Sequence, residues 1–329
     1  MINSKTPYRV SFFGGGTDYP DWYMKNGGSV LSTTIDKYCH ITVRFLPPFF
    51  SISHRVVWSK IENVKSISEI THPVVREVLL DLKFNDLKGV EIHHQGDLPA
   101  GSGVGSSSSF TVGLINALTS LLGDSLSKHE LALNAIRMEQ NILKENVGSQ
   151  DQVAVAYGGF NLIRFSKEGE IEVNQLKISN SRLNELNRNL CFLYLGDDRR
   201  AAEIAGDVIQ NLRKKEEQLF KMNSLVERAT QLLEGEEDLD EFGYLLDENW
   251  FLKKSLSPLI STDEINNVYE IAKKSGALGG KLCGAGKTGF MIFYVPFQEK
   301  EFFEKSLNSF LHVPFKFESF GSQVNQITI

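Results

Sequence analysis

The chain has 329 residues, of which 41% are hydrophobic and 23% charged, with a formal net charge of −6. That is the composition of one large or two medium globular domains, and the dispersed basic residues argue against nucleic acid as a partner, which needs a concentrated cationic face. No apolar run is long enough to span a membrane and the N-terminus has no signal-peptide pattern, so a cytoplasmic protein without a membrane partner is expected.

In chain order, strands are predicted over 8–13, 30–45 and 54–58, a helix over 73–82 and a strand over 90–94. Helices over 106–122 and 127–143 precede a strand over 160–165. After a strand over 190–196 the chain turns helical and charged as far as residue 256. A helix over 262–275, a strand over 289–295, a helix over 299–311 and a terminal strand complete the pattern. Strands and helices mix without regular alternation, which points to an α+β fold. Without repeats or a low-complexity linker, a division into residues 1–189 and 190–329 rests on the change in pattern alone. Cys39, Cys191 and Cys283 stand far apart with no CxxC spacing, as small buried hydrophobes do. His93 and His94 are neighbours in a strand, so they point to opposite faces and cannot share a metal.

Four segments carry candidate chemistry. In PYRVSFFGGGTDYPDWY a cation, Arg9, lies within the first strand, and three glycines with Thr17 and Asp18 follow it. GDLPAGSGVGSSSSF lies between a strand and an apolar helix. Gly101, Gly103 and Gly105 let its backbone turn sharply and approach a ligand, and Ser106 to Ser109 offer a cap and hydroxyl donors. The free N–H groups of that helix start favour a polyphosphate, although the same composition also suits a plain flexible loop. In HELALNAIRMEQNILKEN, Glu139 interrupts the apolar stripe of a helix. A carboxylate drawn inward there is protonated, ion-paired or bound to a metal. In GSQDQVAVAYGGF, Asp151 occupies a polar loop, where a carboxylate is either a turn former or a reacting group.

KLCGAGKTGFMIF resembles a phosphate-binding P-loop at first sight. The required first glycine, however, falls at Lys281, and the residues after Thr288 read as a buried strand instead of a helix, so the P-loop reading fails.

Together, TPYRVSFFGGGTDY, LPAGSGVGSSSSF and GGKLCGAGKTGF resemble, in order, the three motifs of the GHMP small-molecule kinases, over nearly the whole chain. The flanking segments FFGGGTDYPDWY, GGSVLSTTIDKY, WSKIE and GSQDQVAVAYGGFN are most similar to the branch of that family acting on D-glycero-D-manno-heptose 7-phosphate. The resemblance implies a two-domain fold: a ribosomal protein S5 domain 2-like N-terminal domain that binds ATP, and a ferredoxin-like C-terminal domain. It implies phosphorylation of a sugar phosphate at C1, in the supply of surface heptose, with L-fucose or another sugar as the alternative acceptor and a non-catalytic sensor as the alternative role. By motif it assigns Pro99, Gly101, Gly103, Val104, Gly105, Ser106, Ser107 and Ser108 to the nucleotide, Ser107 and Glu139 to Mg²⁺, and Asp151 with Arg9 to catalysis. Gly15, Gly16, Thr17, Asp18, Gly284, Ala285, Gly286 and Arg199 fall to the sugar phosphate. Where the family carries further glycines, this chain has Lys287 and Thr288, and Lys287 either contacts a phosphate or points to solvent. Oligomeric state stays open, a homodimer included.

Overall fold

The computed structural model describes residues 1–196 and 201–326. The chain opens with β1 (Ile2–Phe13), a short helix α1 (Pro20–Asn26) that the sequence pattern did not announce, and the 18-residue strand β2 (Gly28–Phe45). Pro20 at the first helical position and Gly27 just past the end punctuate α1. Next come β3 (His54–Val57), β4 (Ile61–Val64), α2 (Pro73–Asp81), β5 (Val90–Gly96), α3 (Ser106–Leu121), α4 (Lys128–Ile136), α5 (Gln150–Tyr157), β6 (Phe160–Phe165), β7 (Ile171–Gln175) and α6 (Asn180–Asn189).

β2 is the spine of the first sheet. It runs antiparallel to β1 along its length, while its other edge takes β6 at residues 28–33 and β5 at residues 39–45. Eighteen residues leave room on that edge for a third, two-residue partner between them at residues 34–35. In β1 burial alternates at first and is then continuous to Phe13, because α3 packs on this strand and helices of the second half of the chain reach its far end.

The second half begins with β8 (Leu190–Tyr194) and continues through α7 (Ala201–Asn211), α8 (Glu216–Glu234), α9 (Asp240–Leu256), α10 (Asp263–Lys274), β9 (Gly279–Leu282), β10 (Phe290–Tyr294), α11 (Lys300–Ser306) and β11 (Leu311–His312). These four strands form an antiparallel sheet in the order β11-β8-β10-β9. Numbered within the sheet, that is 4-1-3-2, the ferredoxin-like order expected, with helices α7 to α9 added between its first two strands.

The chain then crosses back. β12 (Phe317–Glu318) pairs with β2 and β13 (Gln323–Gln326) with β1, so sheet membership does not follow a division at residue 190 to the end of the chain. A shared aromatic cluster joins the two halves. The ring of Phe242 on α9 lies edge-on to both Phe12 and Phe13, 5.3 Å away in each case. Fully burying one such ring contributes about 2–3 kcal/mol, so the helices of the second half are fixed on the end of β1. That junction carries the site.

All three cysteines are buried and free. His93 lies 3.0 Å from Glu91, whereas His94 packs against Phe110, in keeping with opposite faces. Among the described residues no helix is long and apolar enough to cross a membrane.

Candidate active site

Arg9 is buried at 3% exposure and has nowhere to place its charge except inward. Its Nε and Nη2 donate to the two carboxylate oxygens of Asp151 at 2.7 and 2.6 Å, and Nη1 donates to the carbonyl of Gly103 at 2.6 Å. The backbone N–H of Arg9 also donates to Val104 O. One residue of β1 thus fixes both the first turn of α5 and the glycine-rich loop, and only the planar guanidinium fork can span both. Asp151 differs from its partner in access: its side chain is 26% exposed against 4% for Arg9. It stands in the first turn of a helix, in place of the loop expected from sequence; there the helix dipole favours an acid.

The serines after Gly105 divide their tasks. Gly105 itself, at φ 71°, is the residue before α3, and no side chain caps that helix, a departure from the serine cap expected. The Ser106 hydroxyl accepts from Gly101 N, Ser102 donates to Pro99 O, and Ser109 donates to Pro7 O. Ser107 is exposed beside them. The uncapped helix start leaves first-turn N–H groups without a side-chain acceptor. A Cβ on Gly105 would lie 3.0 Å from Arg9 and 3.6 Å from Asp151, so this helix start and the carboxylate of Asp151 border the same space.

Glu139 is fully buried. The helix expected over 127–143 ends as α-helix at Ile136 and opens into a π-helical turn over Arg137–Ile142. Such turns hold an extra residue and recur at functional sites. Glu139 Oε2 accepts from Ser108 Oγ at 3.0 Å and from the side chain of Gln152, the neighbour of Asp151. Among the described residues its Oε1 has no hydrogen-bond partner. Burial pushes this carboxyl up to about 7. A buried carboxylate oxygen without a cation, amid hydroxyls, suits Mg²⁺, which takes one or two carboxylates and completes its shell with water and phosphate. No cluster of three or more His, Cys, Asp or Glu competes for a metal among the described residues.

Asp18 is buried at the end of the first glycine loop, where its Oδ1 accepts from Gly16 N at 2.9 Å, and burial raises its pKa. The position a Cβ would take on Gly15 is 3.7 Å from Gln150. Thr17 donates to the carbonyl of Gly14 in its own loop and to that of Ser29 at the start of β2, so its side chain ties the loop to that strand.

Two lysines complete the setting, and sequence reasoning missed both. Lys281 Nζ donates to the carbonyls of Ser11 and Phe12; Lys253 Nζ donates to those of Leu282 and Gly284. Among the described residues no carboxylate forms an ion pair with either. Burial lowers both pKa values, that of Lys253 to about 8. Signals existed: Lys253 falls on the buried stripe Leu246, Asn249, Trp250, Leu256 of α9, and Lys281 stands between two glycines and Leu282 in the short, wholly buried β9.

The turn 283–289 joins β9 to β10, a strand, so GAGKT is not followed by a helix. It presses, backbone to backbone, on the glycine-rich loop that precedes α3. A Cβ on Gly284 would lie 2.4 Å from Gly103 Cα, and one on Gly289 2.3 Å from Ser102 O. Gly284→Ala, which also forces a side chain onto φ 69°, is expected to destabilise the protein by about 2 kcal/mol or more and to weaken nucleotide binding. Thermal unfolding and nucleotide titration check this. Ala285 and Gly286 lie in the same turn. Arg199 lies outside the described residues.

The structure therefore brings Arg9, Asp18, Gly103, Gly105, Ser108, Glu139, Asp151 and Gly284 into one hydrogen-bonded and close-packed neighbourhood. The arrangement can hold a polyphosphate on backbone amides, a hard cation on Glu139 and a hydroxyl at Asp151.

Residues 70–159 match the GHMP kinases N terminal domain and residues 225–307 the GHMP kinases C terminal domain. The chain is 30% identical over 304 residues to D-glycero-alpha-D-manno-heptose 7-phosphate kinase of Campylobacter jejuni, covering 89% of each. It is 25% identical to bifunctional fucokinase/GDP-fucose pyrophosphorylase of Arabidopsis thaliana, over 89% of this chain and 30% of that one. Among solved structures, a D-glycero-D-manno-heptose 1-phosphate kinase of Bacteroides thetaiotaomicron superimposes with a TM-score of 0.82 at 25% identity, over 100% of both chains.

Proposed function

The chain belongs to the GHMP kinases and is an ATP-dependent sugar kinase, and from that premise we propose that its acceptor is D-glycero-D-manno-heptose 7-phosphate, phosphorylated at C1 to the 1,7-bisphosphate. The observation that carries the catalytic assignment is the bidentate grip of Arg9 on Asp151 beside the uncapped start of α3.

In this reading the amides of residues 103–107 hold the triphosphate, and Asp18 with the glycines of its loop holds the sugar. Asp151 accepts the proton of the attacking hydroxyl. Each oxygen bonded to Arg9 keeps a further lone pair for it, and Arg9 fixes the direction in which that lone pair points. An anomeric hydroxyl is more acidic than an ordinary alcohol, so the base has less to do. Phosphoryl transfer asks mainly for positioning and charge neutralisation. Glu139, with Ser107 and Ser108 at hand, would hold Mg²⁺, which would neutralise phosphate charge.

The choice of acceptor draws on the heptose 7-phosphate in the name of one similar protein; the similar solved structure is named for heptose 1-phosphate, the same sugar phosphorylated at the other end. The likeness to a plant fucokinase supports a free sugar as the second reading. ADP release with a panel of sugars and sugar phosphates in the presence of Mg²⁺ separates them. Release with heptose 7-phosphate alone, and a product phosphorylated at C1 by NMR, supports the proposal. Release with L-fucose or another free sugar overturns the acceptor, and no release with any acceptor supports a non-catalytic sensor.

A further inference from the structure

The turn 283–289 is built around left-handed backbone, and one of those positions is not glycine. Gly284, Gly286 and Gly289 have φ of 69°, 149° and 106°, and between them Lys287 has φ 67°, a conformation that L side chains rarely adopt. The two other non-glycine residues of this kind, Lys83 and Lys144, follow α2 and the π-helical turn. A left-handed residue is ordinary at a helix end. Lys287 sits at no helix end.

Among the described residues nothing accounts for a lysine there. Its side chain is half-buried, yet among the described residues its ammonium makes no hydrogen bond or ion pair. Only its backbone is engaged: its N–H donates to Ile260 O at 2.9 Å. The Cβ position of Gly286 lies 2.8 Å from Ile260 Cα, while Gly284 and Gly289 press on Gly103 and Ser102. The turn is wedged between the segment after α9 and the glycine-rich loop, and its strained residue is a free cation. Glycine would relieve the strain. Strained residues persist where the side chain has work to do.

We propose that Lys287 is a phosphate-contacting residue, its ammonium closing on a phosphate group bound beside the glycine-rich loop. The proposal rests on the kinase reading above. Two groups share this chemistry, the terminal phosphate of the nucleotide and the phosphate already on the acceptor.

Lys287→Gly and Lys287→Asn test it, since both residues accept this backbone conformation and neither carries charge. Both variants are expected to fold, with the melting temperature of Lys287→Gly at or above that of the parent. ADP-release kinetics with ATP and heptose 7-phosphate varied separately is expected to show one KM raised by about tenfold or more, the value of a charge-assisted hydrogen bond. A rise for ATP assigns the nucleotide phosphate, and a rise for the acceptor assigns the acceptor phosphate. Both KM values unchanged in both variants overturns the proposal and leaves a solvated lysine. If the parent enzyme turns over no sugar phosphate, the acceptor assignment fails by itself. Calorimetric titration with Mg²⁺ and a non-hydrolysable ATP analogue then decides for Lys287: binding weakened about tenfold in Lys287→Gly supports the contact, and equal binding overturns it.

Discussion

Asp151→Asn is expected to lower kcat by at least ~100-fold, the low end of general-base contributions, with nucleotide affinity retained. The amide keeps the shape of the side chain but cannot accept a proton, and its NH₂ meets Nε or Nη2 of Arg9, where the carboxylate offered an acceptor at 2.7 or 2.6 Å. A stability effect accompanies the catalytic one. Breaking a fully buried ion pair by removing one partner costs about 3–5 kcal/mol. Here the cost is smaller, because the Asp151 side chain is 26% exposed and solvent screens it. Unfolding and nucleotide titration of the variant separate the two effects. A folded, nucleotide-binding Asp151→Asn with full activity would remove Asp151 as the base.

The second large effect concerns Glu139. Its carboxyl is raised from 4.5 to about 7, mainly by burial. A raised carboxyl has no effect on stability below the ordinary pKa, where both folded and unfolded chains hold the proton. Between 4.5 and about 7 the unfolded chain ionises first, so stability falls as pH rises, and above 7 the full penalty, roughly 3 kcal/mol, remains. Glutamine keeps the oxygen that accepts from Ser108 and Gln152 and removes the charge. Without ligand, Glu139→Gln is therefore expected to melt with the parent at pH 5 and several degrees above it at pH 8. With Mg²⁺ and nucleotide the order reverses, and apparent Mg²⁺ affinity drops by ~100-fold in the variant. A melting difference that does not change with pH would mean the carboxylate is already satisfied within the protein.

Much of this site is legible in the sequence because its parts are local. Glycines before a helix, a carboxylate in an apolar stripe and an arginine in a strand each break a periodic pattern within a few residues, and the structure gathers all three around the start of α3 and the first turn of α5. What the sequence hid is long-range. The clamp of Arg9 on Asp151 spans 142 positions, and Lys281 reaches the carbonyls of β1 across 270. Local helix signals also misled in detail. Four serines at the start of α3 look like a cap, but Ser108 and Ser109 are drawn off to Glu139 and Pro7 O, and Gly105 takes the position before the helix. The run 127–143 reads as one α-helix, since a π-helical turn leaves no mark in hydrophobic spacing. The return of β12 and β13 to the first sheet depends on open edges that no local pattern reveals.

One ligand set is expected to touch the start of α3, Glu139 and Asp151 together. A crystal structure with a non-hydrolysable ATP analogue, Mg²⁺ and heptose 7-phosphate tests it most directly. The triphosphate is expected on the amides of residues 103–107, Mg²⁺ about 2.1 Å from a Glu139 oxygen, and the C1 hydroxyl within hydrogen-bond distance of Asp151. A triphosphate bound elsewhere, or an acceptor hydroxyl beyond the reach of Asp151, would contradict it.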